Sequence, residues 1–205
     1  MEDGEERAKH WDHIYETRAP SEVSWNQPAP QLSMELIGKL GITSDTRVID
    51  VGGGQSRLVD SLLAAGFEDL TVLDVSEVAL DDGRSRVGQT SVSWVEADVL
   101  AWQPDRRYGL WHDRAVFHFL VEPSDRIAYT DVLRAGTTAG SAVVVGTFAP
   151  DGPEACSGLP VVRYSAGELA EALGEGLDVI AAREEHHRTP GGAVQPFTWV
   201  AGRIK

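Results

Sequence analysis

The sequence predicts an α/β fold, a single doubly wound sheet of about seven mostly parallel strands with an antiparallel C-terminal strand. Three observations carry that expectation. Short β-branched runs alternate along the chain with stretches of helical period, the pattern of strand-helix-strand crossovers. The first of these runs breaks into Gly52-Gly53-Gly54, so a buried strand gives way to a turn whose backbone must approach something closely. The length of 205 residues, with 42% hydrophobic and 24% charged residues, suits one domain built on one substantial core. Residues 1–205 are read as that domain, with 1–45 preceding the core and 46–205 forming it.

Taken in order, strands are expected at Arg47 to Val51, Leu70 to Asp74, Val92 to Glu96, Tyr108 to Asp113, Ala142 to Phe148, Leu177 to Arg183 and Phe197 to Arg203. Helices fall between most of them. SRLVDSLLAAG places Leu58, Leu62, Leu63 and Ala65 on one face, with Ser56 as cap and Gly66 as stop signal. EVALDDGRSRV, SDRIAYTDVLRAG and SAGELAEALG supply three more. Ahead of the core, Trp11, Ile14 and Tyr15 share one side of an amphipathic helix, and VSWNQPAPQLSMELIGKLG follows. The last two strands have no helical pattern between them; EEHHRTPGGAVQP connects them through a Pro-Gly-Gly turn, so they form an antiparallel pair. The Gly/Pro-rich APDGPEACSGLP reads as a functional loop.

Charge narrows the function. Lys and Arg total 18 against 32 Asp and Glu, a net charge of −14, and such a field repels phosphate backbones. Nucleic acid is not expected as a partner. The charged start MEDGEERAKHWDHIYETR has no signal-like apolar core, and no run of about 18 uncharged apolar residues occurs, so a membrane is not expected either and the expected location is the cytoplasm. Cys156 is the only cysteine, which excludes an intrachain disulfide and a multi-thiolate metal site, and no metal ligand set is expected. The adjacent His186 and His187 lack the i,i+4 spacing that places two ligands on one helical face.

Three ligand classes use a strand, a glycine turn and a helix: dinucleotides, mononucleotide phosphates and S-adenosylmethionine. A dinucleotide fingerprint starting at Gly52 and Gly54 would place Arg57 where close helix-strand packing wants no side chain. A phosphate loop of the G-x-x-x-x-G-K-[ST] type does not occur. What remains is Asp50 at a strand end with Gly52 and Gly54 after it. This resembles the first motif of the class I S-adenosylmethionine-dependent methyltransferases, a Rossmann-like family, with Ser56 in place of the last glycine of D/E-x-G-x-G-x-G. Two further acids end predicted strands on the ligand edge of the sheet. Asp74 follows Gly54 by 20 residues, where an acid can accept both ribose hydroxyls. For Asp98 the resemblance implies an acceptor for the adenine amino group, with the Val99 backbone beside the ring; Val75, next to Asp74, is placed in the same cofactor set.

The resemblance therefore implies an enzyme that binds S-adenosyl-L-methionine. At a shorter range, Asp113-Arg114-Ala115, followed by Arg126 and Tyr129, looks like the thiopurine and thiol methyltransferase branch, whose aromatic N-terminal segment Trp11, Trp25 and Gln27 resemble; in that branch the segment helps cover the cofactor. A small-molecule acceptor is the leading expectation and a protein substrate, through a lysine methyltransferase, the alternative. Candidate general bases are Asp113, His118, His186 and His187, of which Asp113, His118 and His187 are placed in the catalytic set and Asp113 also in the cofactor set. Each has a structural alternative: His118, between Phe117 and Phe119, equally suits a hydrogen-bonded core histidine, and only one of His186 and His187 can face a pocket if the strand persists. Arg188 is a candidate for a substrate carboxylate. Cys156 reads as a small buried cysteine beside the substrate cover, and Phe148, Tyr164, Gln195 and Phe197 as pocket or core. Composition leaves the oligomeric state open.

Overall fold

The computed structural model describes residues 4–88 and 91–205. Helices α1 (Gly4–Thr17) and α2 (Gln31–Lys39) precede a core that runs β1 (Val48–Val51), α3 (Leu58–Ala64), β2 (Leu70–Asp74), α4 (Glu77–Val87), β3 (Ser93–Glu96), β4 (Leu110–Arg114), α5 (Pro123–Gly136) and β5 (Ala142–Phe148). A two-residue ladder, β6 (Ala155–Cys156) with β7 (Leu159–Pro160), then precedes α6 (Ala166–Leu173), β8 (Leu177–Arg188) and β9 (Val194–Ile204). The seven-stranded sheet has the order β3-β2-β1-β4-β5-β9-β8. β1 to β5 pair in parallel, and β9 lies antiparallel to both β5 and β8. The chain reverses its direction of growth between β1 and β4, which opens a ligand crevice at the carboxyl ends of those strands.

The local signals act largely as expected. β1 is buried throughout, and its side chains alternate between the two apolar layers: Val48 packs into one and Ile49 and Val51 into the other. The Ser56 hydroxyl accepts from the Leu58 amide at 3.0 Å as α3 begins, and Gly66, at φ +84°, stands just beyond its end. Ser165 and Glu168 close a reciprocal capping box on α6.

Two elements exceed the sequence reading. The terminal hairpin is longer than expected, because β8 continues through Glu184, Glu185, His186, His187 and Arg188, and only the Thr189–Ala193 turn separates it from β9. That stretch has no apolar alternation to read. Its inward face is polar and satisfied instead: Glu185 accepts from Gln27 at 2.6 Å and from the Trp199 indole at 2.9 Å. α2 emerges from the segment read only as aromatic surface, where it buries Ser33, Leu36 and Ile37 behind Pro30. Among the described residues, no helix is long and apolar enough to cross a membrane.

Candidate functional site

The glycine turn is dictated by packing as much as by any ligand. Gly52 has φ +68°, and a Cβ there would lie 2.1 Å from Val116. A Cβ on Gly54 would lie 2.5 Å from the Ala79 methyl and 2.9 Å from Asp74 Oδ2. With no side chain in the way, the Gly54 amide donates to Asp74 Oδ2 at 3.0 Å, and the Ser76 amide donates to Asp74 Oδ1 at 3.0 Å. Asp74 thus stands at the tip of β2 with both oxygens fixed. Burial pushes its carboxyl up to about 6, against the opposing pull of those amides.

An open cleft of about 880 Å³ runs along the strand ends. One end is formed by Asp74, Val75, Asp98 and Val99, which the sequence reading grouped; the other is an apolar chamber of Phe119, Phe148, Phe197 and Cys156. Gly52 lies between them, and Trp11, Tyr15 and Trp25 form the roof. The roof is an aromatic cluster: Trp11 meets Trp25 at 5.6 Å and Phe119 at 5.2 Å, both edge to face. It is fastened from below by Asp12, which accepts from the Ser76 hydroxyl at 2.6 Å, and by Arg7, whose guanidinium pairs with Asp98. Asp98 Oδ1 also accepts from the Leu100 amide at 3.0 Å, so this carboxylate is shared between its own loop and α1.

A second pocket, of about 590 Å³, adjoins the first and is polar, with Ser33, Asp50, Gln55, Ser56, Arg57 and His112 in its wall. Asp50 is 3% exposed, and its Oδ2 has no hydrogen-bond partner among the described residues. Tyr15, Trp25, Gly52 and Arg114 line both pockets. Arg114 donates to the Trp25 carbonyl at 2.8 Å and lies 4.6 Å over the Phe197 ring, while its Nε and Nη2 have no acceptor among the described residues. Burial pulls its guanidinium down to about 10, still a cation at neutral pH.

The expected catalytic set is not assembled at the cleft. Asp113 is fully buried and lines neither pocket; it accepts from the Tyr129 hydroxyl at 2.6 Å, the Val116 amide at 2.9 Å and the Phe117 amide at 3.2 Å. Its lone pairs are consumed in holding the turn after β4, which corrects its placement among catalytic and cofactor residues. His118 is packed behind the chamber wall, 4.5 Å from both Phe119 and Phe148, and its Nδ1 accepts from the Phe148 amide at 3.3 Å. Burial, reinforced by Arg114, holds its imidazole down at about 3, so it is neutral. His187 faces inward and His186 outward, as strand alternation requires. His187 Nε2 lies 2.7 Å from the Ser24 carbonyl, tying the N-terminal segment to β8 rather than entering the cleft, and its pKa is lowered by burial and then by Arg114. Arg188 is exposed, Tyr164 packs against Phe117, and Gln195 pairs with His187 in the hairpin. Among the described residues, no group of three or more His, Cys, Asp or Glu side chains could hold a metal ion.

Site residues that escaped the sequence reading include Arg7, Ser33, His112 and the unsatisfied Arg114. His112 was hidden because it lies inside an apolar strand, and Ser33 because α2 was not recognised.

Comparisons with known proteins place the fold. Residues 48–140 match the family described as a methyltransferase domain. The chain superposes on an S-adenosylmethionine-dependent methyltransferase from Anabaena variabilis with TM-score 0.77 and 14% identity, covering 100% of this chain and 96% of that one. It matches the 1,6-didemethyltoxoflavin-N1-methyltransferase of Burkholderia thailandensis with TM-score 0.72 and 17% identity, over 100% and 92% of the two chains. By sequence it is 22% identical over 142 residues to the eEF1A lysine and N-terminal methyltransferase of Mus musculus, 68% of this chain and 20% of that protein. The chain therefore spans about a fifth of that relative's length. The methyltransferase-domain match thus spans the core from β1 up to the start of β5, and the whole chain shares the fold of the S-adenosylmethionine-dependent methyltransferase structures it superposes on. The lining fits S-adenosylmethionine: the bare turn, the buried acceptor on Asp50 and the acids Asp74 and Asp98 of the cleft offer surfaces for an amino acid, a sugar and a base.

Proposed function

We propose that this chain is an enzyme that transfers the methyl group of S-adenosyl-L-methionine to a small acceptor. The observation that carries the reading is the continuity of the cleft, which passes from Asp74 and Asp98 over Gly52 into the apolar chamber beneath an aromatic roof. Asp74 would accept the ribose hydroxyls, Asp98 and Val99 would border the adenine, and the Gly52–Gly54 turn with Asp50 would take the methionine end. When bound, the cofactor supplies an electrophilic methyl on a cationic sulfur. The chain's part is to hold an acceptor in line with that carbon and to exclude water, which Trp11, Trp25 and the phenylalanines of the chamber are placed to do.

The titratable groups lining the cleft are Arg7, Tyr15, Asp74, Asp98, Arg114 and Cys156. Burial raises the Tyr15 hydroxyl and the Cys156 thiol, so both are neutral at pH 7. Both carboxylates stand at the nucleoside end. This supports an acceptor that arrives with its lone pair free, such as a thiolate, for which the Arg114 cation is a favourable neighbour. The net charge of −14 supports work away from nucleic acid and anionic membrane surfaces, in the cytoplasm.

Calorimetry with S-adenosylmethionine, S-adenosylhomocysteine and NAD tests the cofactor: saturable binding of the first two and none of NAD is expected, and the reverse would overturn the reading. Incubation with methyl-labelled cofactor and cell extract tests the acceptor. Label is expected in the small-molecule fraction; label confined to protein bands would favour a basic protein substrate, which the acidic surface would also attract.

A further inference from the structure

Asp50 belongs to a buried chain of three side chains that the cofactor motif does not require. Its Oδ1 lies 2.7 Å from His112 Nδ1, and His112 Nε2 lies 2.9 Å from the Ser33 hydroxyl. The contact follows from the register, because Asp50 and His112 are paired positions on the adjacent parallel strands β1 and β4. Ser33 reaches them from α2, and none of the three is more than 3% exposed. All three border the polar pocket.

A carboxylate held by one oxygen on one side has its second oxygen aimed by that bond. Here the aimed atom is Oδ2, which has no partner among the described residues and sits directly beneath the glycine turn, where a Cβ on Gly53 would lie 2.4 Å from it. A buried acceptor left unpaired is a cost to the fold that is removed when a cationic donor arrives. The Ser-His-Asp order is also that of a nucleophilic relay. Ser33 at 1% exposure, within helix α2, instead anchors the far side of the ring.

From this juxtaposition we infer that His112, braced by Ser33, is a positioning residue that holds the Asp50 carboxylate so that Oδ2 receives the ammonium group of the cofactor's amino-acid end. The inference rests on the proposed methyltransferase reading and adds to it a residue pair that acts on one portion of the ligand alone. Asp50 touches the ligand; His112 and Ser33 act through Asp50.

The test compares two ligands, S-adenosylhomocysteine and methylthioadenosine, which share the nucleoside and differ in the amino-acid end. Calorimetry on the wild type decides the underlying reading: binding of neither ligand defeats the methyltransferase assignment. Variants then decide the inference. His112→Gln keeps a nitrogen near the Ser33 side and removes the one facing Asp50; it is expected to weaken S-adenosylhomocysteine about tenfold and methylthioadenosine less than twofold. His112→Asn, whose amide nitrogen falls near the position of Nδ1, restores most of that affinity. Ser33→Ala, which leaves the Asp50–His112 bond in place, weakens S-adenosylhomocysteine about threefold with methylthioadenosine unchanged, and covers the case in which a His112 variant fails to fold. Equal losses for both ligands, no loss, or a glutamine variant as good as the asparagine one would overturn the assignment.

Discussion

Asp74 and Asp113 are the same residue type at comparable places, near the carboxyl ends of β2 and β4, and burial pushes both up to about 6. Only one of them faces the cleft. Asp74 is held by two amides at the tip of its strand and remains part of the cleft wall. Asp113 sits one residue before its strand ends and turns away, toward the Tyr129 hydroxyl and the amides of the following turn, with the Trp111 indole donating to the same tyrosine at 2.9 Å. Burial and a raised pKa therefore do not distinguish an acid on the cleft wall from one held inside the fold; the direction of the side chain across the sheet does.

The comparison breaks most sharply at Asp113. Replacing it by Ala strands three donors in the core, and a loss of about 3 kcal/mol is expected, seen as a fall of roughly 10 °C in the melting midpoint, with affinity for S-adenosylhomocysteine within threefold of wild type. A stable variant with lost affinity would reverse the two roles. Asp74→Asn should do the opposite, lowering affinity about tenfold in calorimetry while the midpoint moves by a few degrees.

The pH dependence sharpens the same contrast. Each acid has a folded pKa of about 6 against an ordinary value of 3.8, so the fold is favoured while they are protonated. That contribution is complete below about pH 4 and is withdrawn as pH rises through 6. Thermal melts at pH 4.5 and 7 should show Asp113→Asn with a smaller loss across this window than wild type. Cofactor affinity runs the other way: ionised Asp74 accepts hydroxyls, so wild-type binding of S-adenosylhomocysteine should weaken several-fold from pH 7 to pH 5, and Asp74→Asn should be nearly flat. A wild type with pH-independent affinity would remove Asp74 from ligand contact.

The smallest expected effect concerns a position that bonds to neither acid. Ser165→Ala removes the capping box of α6 and should cost about 1 kcal/mol in a chemical melt, leaving affinity unchanged. A change in affinity there would mean that the cleft senses the capping of α6.

Much of the fold was legible because the local signals agreed with one another. VIDV followed by three glycines, the Ser165 cap with Glu168 and the Gly66 stop each specify their own structure within a few residues. That Asp74 and Asp98 stand together on the cleft was also readable, since a strand end fixes its neighbour's position relative to the sheet edge. The catalytic assignments were not. Asp113, His118 and His187 are polar residues near strand ends, and sequence spacing cannot say whether such a side chain turns into a cleft, behind an aromatic wall or toward a carbonyl of a distant segment.

By itself the sequence determined a parallel sheet, a bare turn after its first strand and two acids beyond it, because backbone conformation and apolar period are set within a few neighbouring residues. Only the tertiary structure decided that Asp113 is consumed by Tyr129, that Arg7 reaches Asp98 across 91 residues, and that His112 and Ser33 hold Asp50. Those partnerships depend on strand register and helix docking, which bring together groups that no local pattern connects.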